Sequence, residues 1–154
     1  STDIEAILPD YYMEEAKACA SRGDRLCIIE KRLEIRVKKY GCFGLVVNNM
    51  LGEEANFKPI IDFSLGVLDN EDEVDEIEGI WTQEQVRAVN LENNDYELVS
   101  LPFTVPAGTD AGDYIFNVYV CYDSNDEPSD YCPTGFKSIY GPVNQITISV
   151  PWYF

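Results

Sequence analysis

Five cysteines and a run of carboxylates are the residues here whose types and spacing could do chemistry. Cys19 and Cys27 are close in sequence, as are Cys121 and Cys132. Each pair would close a short loop, a plausible disulfide framework in an oxidising compartment. Cys42 is then left over, either as a buried thiol or as a bond to another chain. Spacing leaves the connectivity open, because Cys42 could instead take a partner from either pair. No C-x-x-C occurs, which disfavours zinc. The carboxylates cluster in Leu68 to Glu78, LDNEDEVDEIE, where Asp69, Glu71 and Glu73 alternate in a D-x-E-x-E pattern. Hard oxygen ligands at such spacing can wrap calcium, although the run lacks the glycine and distal glutamate of an EF-hand loop. The plainer reading is a solvated acidic loop. No cofactor other than Ca2+ is suggested.

What is missing narrows the chemistry further. The chain has no histidine. That removes the usual neutral-pH general base, the Ser-His and Cys-His nucleophile pairs and the commonest metal ligand. There is no phosphate-binding glycine loop and no G-x-S-x-G elbow. A paired-carboxylate hydrolase is the remaining enzymatic option, and no motif supports it. A non-enzymatic role is therefore expected.

Charge says who the partners are not. Lys plus Arg total 11 against 28 Asp plus Glu, for a net charge of −17 over 154 residues. The first sixty residues are nearly balanced, while beyond them only Arg87 and Lys137 are basic. Such a surface repels phosphate backbones and anionic lipid, so nucleic acid is excluded as a partner. No apolar run reaches the ~20 residues of a membrane span. The chain begins at Ser1 rather than Met, so an export signal or anchor is expected to have preceded it. Membrane attachment is expected only through such an upstream segment.

These residues need elements to position them. Residues 2–20 read as a helical segment, with Asp10 capping a helix from near Tyr11, Met13, Ala16 and Ala20 on one face and Tyr12 beside it. The segment stops at Ser21-Arg22-Gly23-Asp24, whose last three residues spell a sequence famous in integrin adhesion and otherwise read as a turn. From Leu26 the period becomes two. Leu33, Ile35 and Val37 alternate with Glu34, Arg36 and Lys38 in a strand that carries most of the positive charge. Phe43 to Val47 is a short apolar run that ends at the turn residues Asn48, Asn49 and Gly52. Lys58 to Leu65 places Pro59, Ile61, Phe63 and Leu65 on one side. Trp81 suits either a core or an exposed platform, and Thr82 to Val89 suits either a helical turn or a strand. Tyr96 to Val105 is a strand with Val99, Leu101 and Phe103 inward. Tyr114, Phe116, Val118 and Val120 form the inward set of the next strand. Residues 123–142 are a loop that a Cys121–Cys132 bond would staple. Val143 to Val150 closes the chain with Asn144, Ile146, Ile148 and Val150 on one face.

Seven to eight short strands behind a single short helix predict a mainly β chain, an antiparallel β-sandwich. The expected division is a stapled helical segment over 1–30 and the sandwich over 31–154.

One stretch carries a resemblance. Asp110-Ala111-Gly112-Asp113-Tyr114 resembles the D-x-G-x-Y signature that opens strand F of immunoglobulin-like domains. Phe103 to Tyr114, FTVPAGTDAGDY, is similar to a hairpin corner of prokaryotic surface modules, archaeal and bacterial, of the CARDB and cell-adhesion type. The motif spans 99–122, and the outline spans 31–150. The resemblance implies a tyrosine corner at Tyr114, built with Asp110 and Gly112, and places Phe116 where immunoglobulins carry a core cysteine. It implies an extracellular or cell-surface structural module with no active site. Gly112 is expected to supply a backbone conformation that other residues resist. The function expected is an interaction module, a cell-surface or pilus-like filament subunit acting through protein contacts or self-assembly. The alternative is a carbohydrate- or calcium-binding module using Trp81, Tyr119, Tyr131 or Trp152 as stacking platforms.

Overall fold

A computed structural model describes residues 8–82, 86–124 and 129–153. The parts of the predicted helical segment before residue 8, the middle of Thr82–Val89 and part of the stapled loop lie outside the described residues. The chain is mainly β, an immunoglobulin-like sandwich with a short N-terminal helix. In chain order the elements are α1 (Tyr11–Arg22), β1 (Leu26–Ile29), β2 (Arg32–Glu34), β3 (Tyr40–Asn48), β4 (Ala55–Leu68) and β5 (Glu73–Val74). There follow β6 (Val89–Leu91), β7 (Tyr96–Thr104), β8 (Gly112–Tyr122), β9 (Ser138–Ile139) and β10 (Asn144–Val150). The count exceeds the expected seven or eight because β2, β5, β6 and β9 are only two or three residues long.

Two sheets face each other. The smaller runs β1-β3-β7 and the larger β2-β10-β8-β4-β5, with β6 also on β4 and β9 on β8. All pairs are antiparallel except β10 with β2, which is parallel. Those two strands come from opposite ends of the chain, so no hairpin dictates their direction. Residues 26–29, on the N-terminal side of the expected boundary at 30, pair with β3 as part of the smaller sheet.

The core lies between the sheets. Phe43, Leu45 and Val47 of β3 meet Val99, Leu101 and Phe103 of β7 on one side. Tyr114, Phe116, Val118 and Val120 of β8, with Ile146, Ile148 and Val150 of β10, supply the other. Phe103 and Phe116 join the layers, their rings 5.1 Å apart. Each large side chain buried this way contributes about 1.5–3 kcal/mol.

β3 is longer than the apolar run suggested and is buried on both faces. The reason is α1, which lies on the outer face of the smaller sheet. Its buried residues are Tyr12, Ala16 and Cys19, packed with Ile29 and Val46. The expected face of Met13, Ala16 and Ala20 is rotated from this, since Met13 is exposed. Gly44 makes the seat possible: a Cβ there would meet Tyr12 Cδ2 at 2.7 Å. Asp10 does not cap the helix through its side chain. Its own backbone is already helical, whereas a cap needs an extended residue. The first turn is held instead by Glu30, whose carboxylate accepts from the hydroxyls of Tyr11 and Tyr12.

In β4 the period expected from Pro59 through Leu65 breaks. A bulge shifts the register between Phe63 and Leu65. Phe63 packs against the core, but Gly66 rather than Leu65 is buried beyond it. β2 ends at Glu34, short of the expected Val37, because the chain turns over Arg36–Lys39, where the Lys39 N–H donates to the Arg36 carbonyl at 2.9 Å and Lys38 takes a left-handed φ of 67°.

Candidate functional site

The corner is built where the motif lies. Tyr114 is buried, and its hydroxyl donates to the Asp110 carbonyl at 2.7 Å. Burial, then the charges of Asp110 and Asp69, push its pKa up. Phe116 sits in the core against Trp81, Phe63 and Phe103. Gly112 acts differently from the expectation. Its φ is not left-handed. A Cβ there would lie 2.6 Å from the Val67 carbonyl oxygen and 2.7 Å from Leu68 Cα, so the requirement is close approach of two backbones. The corner thereby fixes the start of the acidic run, whose Asp69 N–H donates to the Ala111 carbonyl at 3.1 Å.

The acidic run is a hairpin rather than a loop alone. Glu73 and Val74 pair with Val67 and Gly66 of β4. Asn70 organises the turn by accepting from the Asp72 N–H at 3.0 Å, and Glu71 takes a left-handed φ of 73°. Asp69, Glu71 and Glu73 are all exposed. Their carboxylates do not converge. Among the described residues the single group of three donors within 4.8 Å of one another is Cys19, Asp24 and Cys27. Two of those donors are sulfurs already bonded to each other.

Both close cysteine pairs are disulfides, Cys19–Cys27 and Cys121–Cys132, and Cys42 is buried in β3 outside both. The first staples the end of α1 to β1. The Arg22-Gly23-Asp24 tripeptide is that helix end. Gly23 takes the left-handed C-cap, and Arg22 pairs with Asp24 at 3.0 Å. The second disulfide ties the 123–142 loop to β8.

Of the four aromatic platforms, two are unavailable. Trp81 is 4% exposed, its ring 4.8 Å from that of Tyr114, and its indole N–H donates to the Glu78 carbonyl. Tyr119 is 7% exposed. Tyr131 and Trp152 are exposed.

The Tyr119 hydroxyl lies 3.0 Å from Asp62 Oδ2 and 2.9 Å from the Tyr131 carbonyl. Burial, then the hydrogen bond and charge of Asp62, raise its pKa from 10.0 to about 12. Tyr12, Tyr114 and Tyr140 are also shifted upward, chiefly by burial. A phenol whose folded pKa exceeds its unfolded one gives up no stability below the unfolded value. Between the two values the unfolded chain has lost the proton and the folded chain keeps it, so stability falls as pH rises. Unfolding free energy is therefore expected to hold up to about pH 10 and to drop steadily toward pH 12. In Tyr119→Phe the drop is expected to be shallower. Denaturant midpoints across that range check this; parallel curves for the two proteins would refute it.

The strand that the sequence reading left without a role is β7. Along its length β3 occupies one edge. On the opposite edge, among the described residues, the Trp81–Thr82 segment bonds at the C-terminal end. Beyond that contact lies a groove of about 400 Å³, with Glu97 to Ser100 on one wall and Val86 to Asn90 on the other. Arg87, one of the two cations after residue 60, lines it. Lys58 Nζ donates to the Val86 carbonyl and steadies the far wall.

No protein-family model and no curated protein matches the chain. Solved structures do resemble it. The ASH/PapD-like domain 7 of human CEP192 is 12% identical with a TM-score of 0.49, over 84% of this chain and 85% of that one. The class 5 fimbriae chaperone CfaA is 15% identical at 0.46, over 83% of this chain and 57% of the chaperone. A family 123 glycoside hydrolase from Clostridium perfringens is 10% identical at 0.48, over 81% of this chain and 27% of the hydrolase.

Proposed function

We propose that this chain is a non-enzymatic interaction module that works outside the cytoplasm, as a surface or filament subunit in the manner of prokaryotic immunoglobulin-like modules. The observation that carries the reading is the edge of β7. Its Glu97–Ser100 stretch borders a groove on the side away from β3, and among the described residues no strand pairs with it there, which suits the addition of another chain's strand. Two disulfides suit an oxidising compartment. The absence of histidine and the dispersal of the carboxylates suit a role without catalysis. Among the described residues no helix is long and apolar enough to cross a membrane. Partners are protein, since the acidic surface disfavours nucleic acid.

The carbohydrate- or calcium-binding alternative keeps two supports, exposed Trp152 and Tyr131 and the acidic hairpin. Calorimetry with calcium and a glycan panel, run beside light scattering of the full chain, separates the two. Flat heats with concentration-dependent association are expected. Saturable heats from a strict monomer would transfer the function to the alternative.

A further inference from the structure

A cleft lies at the corner end of the sandwich. Its volume is about 340 Å³, at the lower end of the roughly 300–1,000 Å³ that ligand pockets span. One wall is the acidic hairpin with the chain that follows it, and the other is the loop that leads into β8. The walls are anchored to each other. The Asp69 N–H donates to the Ala111 carbonyl, and Gly79 seats against Pro106, whose Cγ a Cβ there would meet at 2.9 Å. The cleft is separate from the β7 groove. Thr82 pairs antiparallel with Phe103, so the chain runs from Trp81 to Thr82 away from the corner.

Two kinds of side chain line the cleft. Leu68, Val74, Ile77, Trp81 and Tyr114 are apolar, while Glu76, Glu78 and Asp110 are exposed carboxylates. No cation of this chain answers them. All eleven lysines and arginines stand at described positions, and none lines the cleft. The ion pairs among the described residues are Arg22 with Asp24 and Arg32 with Asp113, so Glu76, Glu78 and Asp110 take part in neither. After burial, the charges of Asp110 and Asp69 push the Tyr114 pKa up, so the negative field reaches the cleft's own lining.

An apolar lining beside carboxylates matches a side chain with a hydrocarbon stem and a cationic head, the build of lysine and arginine. A metal ion needs converging oxygens, and among the described residues no three carboxylates come within 4.8 Å of one another. Ile80, next after Gly79, is 81% exposed. It offers an apolar contact that a polypeptide can cover and a free ion cannot. Building on the interaction-module reading, we propose that this cleft takes a lysine or arginine side chain of a basic protein partner, its stem along Ile77, Trp81 and Tyr114 and its head at Glu76, Glu78 and Asp110. The net charge of −17 draws such a partner in and turns an acidic one away.

The probe is a capped tripeptide, acetyl-Gly-Lys-Gly-amide, titrated into the full chain and followed by NMR. The Trp81 indole N–H and the Gly108 and Thr109 amides are expected to shift and saturate, while the indole of exposed Trp152 stays still. The same peptide with norleucine for lysine keeps the stem without the charge and is expected to bind at least about tenfold more weakly. Binding is also expected to weaken from about 0.05 to about 0.5 M NaCl. Glu76→Gln with Glu78→Gln is expected to weaken it about fivefold. Glu53→Gln with Glu54→Gln makes the same change of net charge in the β3–β4 turn and is expected to leave it within about twofold. All four glutamates are exposed, so the variants test charge rather than folding. Equal binding of the two peptides, or equal loss in the two double variants, overturns the cleft as a cation site. Saturable shifts elsewhere on the acidic surface with Trp81 unmoved overturn it as well. Calcium chloride moving the same signals at lower concentration than the peptide overturns a side-chain ligand. A cleft that fails in a chain that still associates with itself or with a polypeptide leaves the interaction-module reading standing. Neither peptide binding nor association sinks both.

Discussion

Gly112→Ala is expected to destabilise the fold by about 2–4 kcal/mol, a large loss for one methyl group. The atoms in its way are the Val67 carbonyl oxygen at 2.6 Å and Leu68 Cα at 2.7 Å. Both are backbone, held in the β4–β8 ladder where Leu68 pairs with Gly112 itself. A flexible side chain could swing aside, but a ladder can yield only by breaking its pairing. The strain falls where the corner, the acidic turn and the start of β8 meet, so the Asp69–Ala111 bond is also lost. Gly108→Ala is the control. It lies in the loop that leads into β8, with nothing within 4 Å of a Cβ, and its cost comes from its φ of 82° alone, about 1 kcal/mol. Chemical denaturation of the two variants ranks them; equal costs would mean that backbone crowding is not what Gly112 relieves.

Asn49→Asp is expected to cost about 3–5 kcal/mol, more than Asn49→Ala at about 2–3 kcal/mol. Asn49 is fully buried at the end of β3. Its amide donates to the carbonyls of Glu53 at 2.8 Å and Leu91 at 2.9 Å, while its Oδ1 accepts from the Leu51 N–H. Its own backbone exchanges bonds with the Asp95 carbonyl and the Asn94 N–H. One residue thus joins the β3–β4 turn to β6 and to the turn before β7. Alanine leaves two carbonyls and an N–H without partners. Aspartate does worse, because it sets a carboxylate against two carbonyl oxygens in a site without water-like screening. Thermal unfolding of both variants tests the order, and an aspartate variant as stable as wild type would contradict the clamp.

Much of this was legible in the sequence. Alternation marked the inward faces of β7, β8 and β10 because most positions on their other face keep some exposure, which is the pattern a period of two reports. The corner motif identified Tyr114 and its carbonyl partner, since the tyrosine needs an acceptor close in sequence. The rest was hidden for physical reasons. β3 shows no alternation because α1 covers its second face, so Val46 is as buried as Leu45. The bulge before Leu65 has no signature in residue type. Asn49 reads as a turn residue, and only the fold reveals that its turn is interior. The importance of Gly112 was visible, but not its cause, which depends on a strand more than forty residues away. The open edge of β7 is a matter of what lies beside it, and composition could offer only the lack of charge between Leu98 and Leu101.

Among the described residues, the smaller sheet ends at β7 with no strand paired to Leu98 and Ser100 on the side away from β3. Amide hydrogen exchange of the dilute, monomeric chain, read residue by residue along β7, tests it most directly. Val99 and Leu101, bonded to β3, are predicted to exchange roughly a thousandfold or more slower than Leu98 and Ser100, which need no opening of the fold. Leu98 and Ser100 exchanging as slowly as Val99 in the monomer would contradict the claim, because the edge would then already be paired within the chain.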